Sequence, residues 1–138
     1  RNFGGRKAFG GEVVTVKCFE DNSRVKELLA TAGEGRVLVV DGGASMRCAL
    51  LGDMIAESAV QHGWAGVIVY GCVRDVDALA TLDLGVQALA CIPQKSNRKG
   101  AGEVGLTLNF GGLTIASGMY VYADNNGILV SEHKLIDL

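Results

Sequence analysis

The pattern of apolar and polar positions divides the chain into two parts. Residues 11 to 19, GEVVTVKCF, alternate and are rich in β-branched side chains, which predicts a strand. DNSRVKELLATAG then offers Asn22 or Ser23 as an N-cap, Val25, Leu28 and Leu29 at helical spacing, and Gly33 as a stop, so a helix follows. RVLVVDGG (36 to 43) is a short continuous apolar run backed by a glycine pair, as expected of a strand covered on both faces. MRCALLG reads as another strand, and GDMIAESAVQHG as a helix with Asp53 at its start and Gly63 at its end. WAGVIVYG (64 to 71) is a buried strand, RDVDALATLDLG a helix as far as Leu82, and VQALAC (86 to 91) a further strand.

Up to this point strands and helices alternate, the pattern of an α/β layer structure. Beyond the polar, Gly-containing loop CIPQKSNRKGAGEVG, the segment LTLNFGGLTIASGMYVYADNNGILVS reads as short strands joined by turns, with NNG (125 to 127) a tight-turn signal. The expectation is a mixed, layered α/β domain with a β-rich C-terminal third, spanning residues 1 to 138 as one unit.

Composition narrows the function classes. With 138 residues, 49% of them hydrophobic, the chain can fill one core. The net charge is −2 and basic residues are interspersed with acidic ones, as in VKCFEDNSRVKELL, so no stripe for direct nucleic-acid binding is expected. Each apolar run is interrupted well before the roughly 18 residues of a membrane span, which predicts a soluble, cytoplasmic protein. The chain begins at Arg1 and not at methionine, so a further N-terminal segment is expected. Cys18, Cys48, Cys72 and Cys91 form no C-x-x-C pair, which argues against structural zinc and for reduced, mostly buried thiols. Cys72 lies close enough to Arg74 to share a cleft with it, but a nucleophilic thiol needs a base, and only His62 and His133 are present as imidazoles.

Two short stretches carry the candidate chemistry. In LLGDMIAESA, a strand running into Gly52 and Asp53 and then a helix exposes free backbone N–H groups, a seat for a small anion, and the missing Cβ of Gly52 lets a ligand approach. The plainer reading has Asp53 merely capping its helix. GCVRDVDAL repeats the arrangement at the end of a neighbouring strand, and in open α/β sheets both ends face one crevice. Arg74 offers a planar fork of donors for a carboxylate, and Asp75 a hard oxygen ligand for Mg²⁺ or Mn²⁺. Read alone, Arg74 and Asp75 are a solvated ion pair at a helix start. Lys95, Arg98 and Lys99 read as a solvated loop.

The blocks NFGGR, VLVVDGGAS, GDMIAESAVQHGWAGVIVYGCVRDVDAL, DLGVQALACIPQKSNRKGAGE and YADNNGI, which together span essentially the whole chain, resemble the family that joins the regulator of ribonuclease activity A to the class II 4-hydroxy-4-methyl-2-oxoglutarate aldolases. The spacing from Asp53 to Arg74 and Asp75 is the most specific element. The resemblance implies a β/β/α swivelling-type fold and assembly into trimers or dimers of trimers. It implies that Gly52, Asp53, Met54, Ile55 and Arg74 bind a small 2-oxo acid, with Arg74 and Asp53 catalytic and Asp75 holding a divalent metal. The activity implied is metal-dependent cleavage of 4-hydroxy-4-methyl-2-oxoglutarate to pyruvate, with oxaloacetate decarboxylation beside it, and no lysine lies in the Gly52 to Ile55 or Arg74–Asp75 stretches to form a Schiff base. Dedicated aldolases of the family draw a further acid from a neighbouring subunit's C-terminal segment, for which this chain offers Glu132 and Asp137. The alternative implied by the regulator branch is a non-catalytic protein that binds ribonuclease E and inhibits RNA processing. Methyl transfer is not expected, because no G-x-G-x-x-G fingerprint follows a strand.

Overall fold

A computed structural model describes residues 1 to 136. The elements are β1 (Phe9–Lys17), α1 (Ser23–Leu29), β2 (Val37–Asp41), β3 (Ala49–Leu51), α2 (Asp53–Gln61), β4 (Gly66–Val73), α3 (Val76–Leu79) and β5 (Gly85–Cys91), followed by β6 (Glu103–Val104), β7 (Leu108–Phe110), β8 (Leu113–Ile115), β9 (Tyr120–Asp124) and β10 (Gly127–Ser131). Strands β1, β2, β4 and β5 run parallel in that order. The long β4 lies against β2 along Gly66 to Tyr70 and against β3 at Cys72 and Val73. Antiparallel β9 and β10 extend the sheet beyond β1, and β6 pairs with the end of β1.

The two faces of the sheet are covered differently. Leu38 and Val40 of β2 point into one apolar cluster with Val25 and Leu29 of α1, Ile55, Ala56 and Ala59 of α2, and Leu79 of α3. Val37 and Val39 point into a second cluster, closed by Leu108 and Ile115 of the β7–β8 hairpin and by Val121 and Ala123 of β9. Alternate side chains therefore meet helices on one side and strands on the other, which is why β2 is continuously apolar. The order hairpin, sheet, helices is the β/β/α layering expected from the sequence. Among the described residues, no helix is long and apolar enough to cross a membrane.

Several boundaries differ from expectation, each for a local reason. The helix expected to reach Leu82 is only Val76–Leu79, because the Leu82 carbonyl accepts the Gly5 N–H of the N-terminal segment crossing here. Helix α1 stops at Leu29 instead of running to Gly33, and the Thr31 carbonyl is left to accept the indole N–H of buried Trp64 at 2.9 Å. The strand expected over MRCALLG shortens to Ala49–Leu51, since Ser45 and Arg47 are turned aside to the Glu20 carboxylate. Gly85 has a packing reason: a Cβ there would lie 2.0 Å from the Phe9 ring.

The start of α1 yields a pH prediction. Asn22 occupies the cap position but makes no side-chain cap bond, and the Asp21 carboxylate instead accepts the Ser23 N–H at 2.9 Å and the Ser23 hydroxyl at 2.6 Å. Burial alone would raise this carboxyl, but the Ser23, Lys99 and Ala101 donors outweigh it and lower it from 3.8 to about 2. A group depressed in the folded state adds stability that is complete above the unfolded value near 3.8 and is lost as the pH falls through about 2. Acid unfolding followed by circular dichroism should show this slope in the wild type and lack it in Asp21→Asn.

Candidate functional site

Strand β4 runs two residues beyond Gly71, and the Arg74 N–H bonds the Leu51 carbonyl at 2.9 Å. Arg74 and Asp75 therefore leave the sheet directly beside Leu51, the residue that leads through Gly52 into α2. Asp75 adopts the left-handed conformation, φ 58° and ψ 44°, which is rare for a residue with a side chain and tolerated best by Asn and Asp. Its Oδ2 accepts the Asp53 N–H at 3.1 Å and lies 3.6 Å from Nη1 of Arg74. The two stretches singled out from the sequence thus meet as one unit, in which Asp75 caps α2 from a different element.

This geometry adds a reason for glycine at position 52 beyond the ligand approach expected from the sequence. The missing Cβ makes room for the protein itself, since a Cβ there would lie 2.8 Å from Asp75 Oδ2 and 3.0 Å from Arg74 Nε. It also narrows the backbone seat. The Asp53 N–H is taken by Asp75, and the first intrahelical bond runs from the Ala56 N–H to the Gly52 carbonyl. The Met54 and Ile55 N–H groups between them have no acceptor among the described residues. The Met54 side chain is exposed, whereas that of Ile55 is core, so Ile55 can serve a ligand only through its backbone.

A cleft of about 470 Å³ opens at this point, lined by Gly52, Met54, Ile55 and Arg74 and, among other residues, by Lys26, Lys95 and Arg98. Asp53 and Asp75 do not line it, and among the described residues no Asp or Glu does. Four cations with no carboxylate, next to two free amides at a helix N-terminus, suit a small molecule carrying more than one negative charge. Lys95 and Arg98 are exposed, as expected of a solvated loop, but the loop is tied down at defined points. The Ala49 N–H bonds the Gln94 carbonyl, and Arg98 Nε donates to Asn22 Oδ1 at 3.0 Å, which lays the loop along the cleft. Their sequence signal was three basic residues within five positions, which carries no indication of where the loop folds back.

The remaining candidates fall outside the cleft. Cys72 is buried, and burial first and neighbouring Cys91 second push its thiol up, the opposite of what a nucleophile needs. His62 Nδ1 contacts the Ser58 carbonyl at the far end of α2. Among the described residues no group of three His, Cys, Asp or Glu gathers as a metal cage. One carboxylate oxygen of Asp75 is spent on the Asp53 amide, and the other is a hard donor at a partly exposed position. A single such donor fits Mg²⁺ or Mn²⁺ if waters and substrate oxygens complete the shell. Glu132 is exposed just beyond β10, and Asp137 lies outside the described residues.

Known proteins match this chain over nearly its whole length. The family model RraA-like (Aldolase/RraA) matches residues 1 to 130. An Acinetobacter baylyi protein, provisionally named 4-hydroxy-4-methyl-2-oxoglutarate aldolase, is 73% identical over 137 residues, covering 99% of this chain and 81% of that protein. The structure of the RNA-processing inhibitor RraA from Thermus thermophilis superposes with a TM-score of 0.96 at 43% identity, covering 100% of this chain and 84% of that one. A Geobacillus kaustophilus structure described as an S-adenosylmethionine:2-dimethylmenaquinone methyltransferase also reaches 0.96, at 44% identity, with 98% and 84% covered. Sequence and fold agree along the whole domain: the chain belongs to the RraA-like family.

Proposed function

We propose that the chain is a carbon–carbon lyase that cleaves 4-hydroxy-4-methyl-2-oxoglutarate to two molecules of pyruvate, with decarboxylation of oxaloacetate as a side reaction. The observation that carries this reading is that Arg74, the residues of the free Met54 and Ile55 amides, and three further cations, Lys26, Lys95 and Arg98, line one cleft. Both reactions break the bond two carbons from the first carboxylate and leave the enolate of pyruvate. Arg74 and the two amides hold the carboxylate beside the 2-oxo group, and Lys95 and Arg98 face the second carboxylate. Asp53, in the first turn of α2 at the edge of this site, would act through a water it holds. Asp75 would hold a divalent cation, Mg²⁺ or Mn²⁺, which when bound supplies Lewis-acid stabilisation to the enolate oxygen.

Lys26 and Lys95 raise a rival chemistry, because each could in principle form a Schiff base with the 2-oxo group. A Schiff-base lysine needs a desolvated pocket, and both side chains are exposed. Borohydride added with pyruvate should leave the protein mass unchanged, whereas EDTA should abolish pyruvate release and Mg²⁺ or Mn²⁺ restore it. Asp75→Asn keeps the left-handed conformation but removes the charge, so it should raise the Mg²⁺ concentration needed for half-maximal rate by about tenfold or more. Activity that survives EDTA together with borohydride trapping would overturn the metal-dependent reading.

The match to an RNA-processing inhibitor supports a second reading, in which the protein also binds a ribonuclease of the E type. Pull-down with ribonuclease E at micromolar protein tests it, and no retention counts against it. Methyl transfer is not proposed, since four cations around the cleft would repel the sulfonium of S-adenosylmethionine. Assembly into a homotrimer, or a dimer of trimers, belongs to the same proposal, as does a cytoplasmic location. Exposed Leu129, Leu135 and Ile136 near the sheet edge are apolar surface that further copies would cover. Light scattering at the mass of one chain would count against the trimer.

A further inference from the structure

Asp21 does not line the cleft, yet its two carboxylate oxygens serve different parts of the fold. Oδ1 caps α1 through the N–H and hydroxyl of Ser23. Oδ2 accepts the Lys99 N–H at 2.8 Å and the Ala101 N–H at 3.2 Å, from residues 78 and 80 positions away. Around this carboxylate the two segments are sewn together. The Ser23 hydroxyl accepts the Gly100 N–H, the Asn22 N–H bonds the Asn97 carbonyl, and the Asn97 N–H bonds the Glu20 carbonyl. Asn22, the next residue, accepts from Arg98 Nε through Oδ1 and donates from its side-chain amide to the Leu50 carbonyl.

Helix capping alone accounts for Oδ1 but not for Oδ2, whose partners among the described residues lie in the loop that carries Lys95 and Arg98. We infer that Asp21 is a positioning residue, a carboxylate latch that fastens residues 97 to 101 to the start of α1 and thereby sets Arg98 in the anion cleft. The inference rests on the reading of that cleft as the seat of a diacid. The chemistry calls for a carboxylate at this place. All four groups aimed at Asp21 are donors, and the amide NH₂ of an asparagine would meet one pair of them with donors of its own. The carboxyl is held at about 2, so the latch stays charged at any working pH.

The test compares the full-length wild type with Asp21→Asn, Arg98→Ala and the double variant, using readouts independent of turnover. In Asp21→Asn, amide hydrogen exchange over residues 97 to 101 should accelerate while α2 stays protected. Calorimetry with 2-oxoglutarate, a diacid that lacks the 4-hydroxyl needed for cleavage, should show a Kd raised about tenfold, the loss expected for one charge-assisted hydrogen bond. If pyruvate release is detectable, KM should rise by a similar factor with kcat within about twofold. Asp21→Asn should add less than about twofold to Arg98→Ala, since both act through one guanidinium. Unchanged exchange and Kd, or a full additional tenfold loss in the double variant, would overturn the latch. Should Asp21→Asn not fold, Ser23→Ala takes its place, with faster exchange at Gly100 and weaker binding expected and unchanged values overturning the idea. Absence of pyruvate release from the wild type sinks the lyase reading alone, because exchange and binding still decide the latch.

Discussion

Replacing Arg74 by alanine should lower kcat/KM for pyruvate release by about a hundredfold to a thousandfold, the loss typical of removing one preorganised donor from a reacting anion. The guanidinium is three-quarters buried, its main chain is pinned to Leu51, and it stands beside the Asp75 carboxylate, so no other side chain can move into its place. Arg74→Lys should recover only part of the loss, because an ammonium supplies the charge without the planar fork. The circular dichroism spectrum should be unchanged in both variants. Wild-type kinetics in Arg74→Ala would remove the carboxylate clamp from the mechanism and the lyase proposal with it.

Gly52→Ala should be nearly as damaging to turnover and almost silent in stability. The backbone at Gly52 has φ −129° and ψ −171°, an extended conformation that alanine adopts freely. The added methyl would lie 2.8 Å from Asp75 Oδ2 and 3.0 Å from Arg74 Nε, closer than such atoms approach. Both contacts are with side chains, which move more easily than backbone, so relief comes from displacing the two groups on which catalysis is proposed to depend. Misplacement of about 1 Å is enough to cost on the order of a hundredfold in rate. The thermal midpoint should stay within a few degrees, corresponding to about 1 kcal/mol or less for a chain of this size. A variant that loses stability but keeps its rate would show that the close approach at Gly52 serves packing only.

Much of the site was legible in the sequence because its parts are local. A glycine before an acidic residue and a helix, and an Arg-Asp pair after an apolar strand, are visible as short strings, and the parallel sheet brings their ends together. The part that was not legible is carried by long-range pairing. Lys95 and Arg98 reach the cleft because the loop after β5 returns to β3 and to the start of α1, contacts that cross more than 40 and more than 70 positions. No periodicity records such a return. The fold divides in the same way. Helical spacing and β-branched runs located α1, α2, β2 and β4, while the ends of α1 and α3 were set by Trp64 and by the N-terminal segment, partners remote in the chain. The crowding of Gly52 by Asp75 and Arg74 escaped the sequence for a related reason, since an empty Cβ position does not reveal which neighbour fills it.

The pairing of β1 also bears on the order in which the chain can fold. β1 takes β2 as a nearby partner, but its opposite edge is closed only by β6 and β9, so Phe9 waits for Ala123. As the chain leaves the ribosome, the helix-covered face can assemble once β5 has emerged. The face bearing Val13, Val37, Val39 and Ile68 stays wet until the last strands arrive. Closing so long a loop is entropically slow. During that interval the nascent protein presents an unpaired edge and a bare apolar sheet, the kind of surface on which partly folded chains associate.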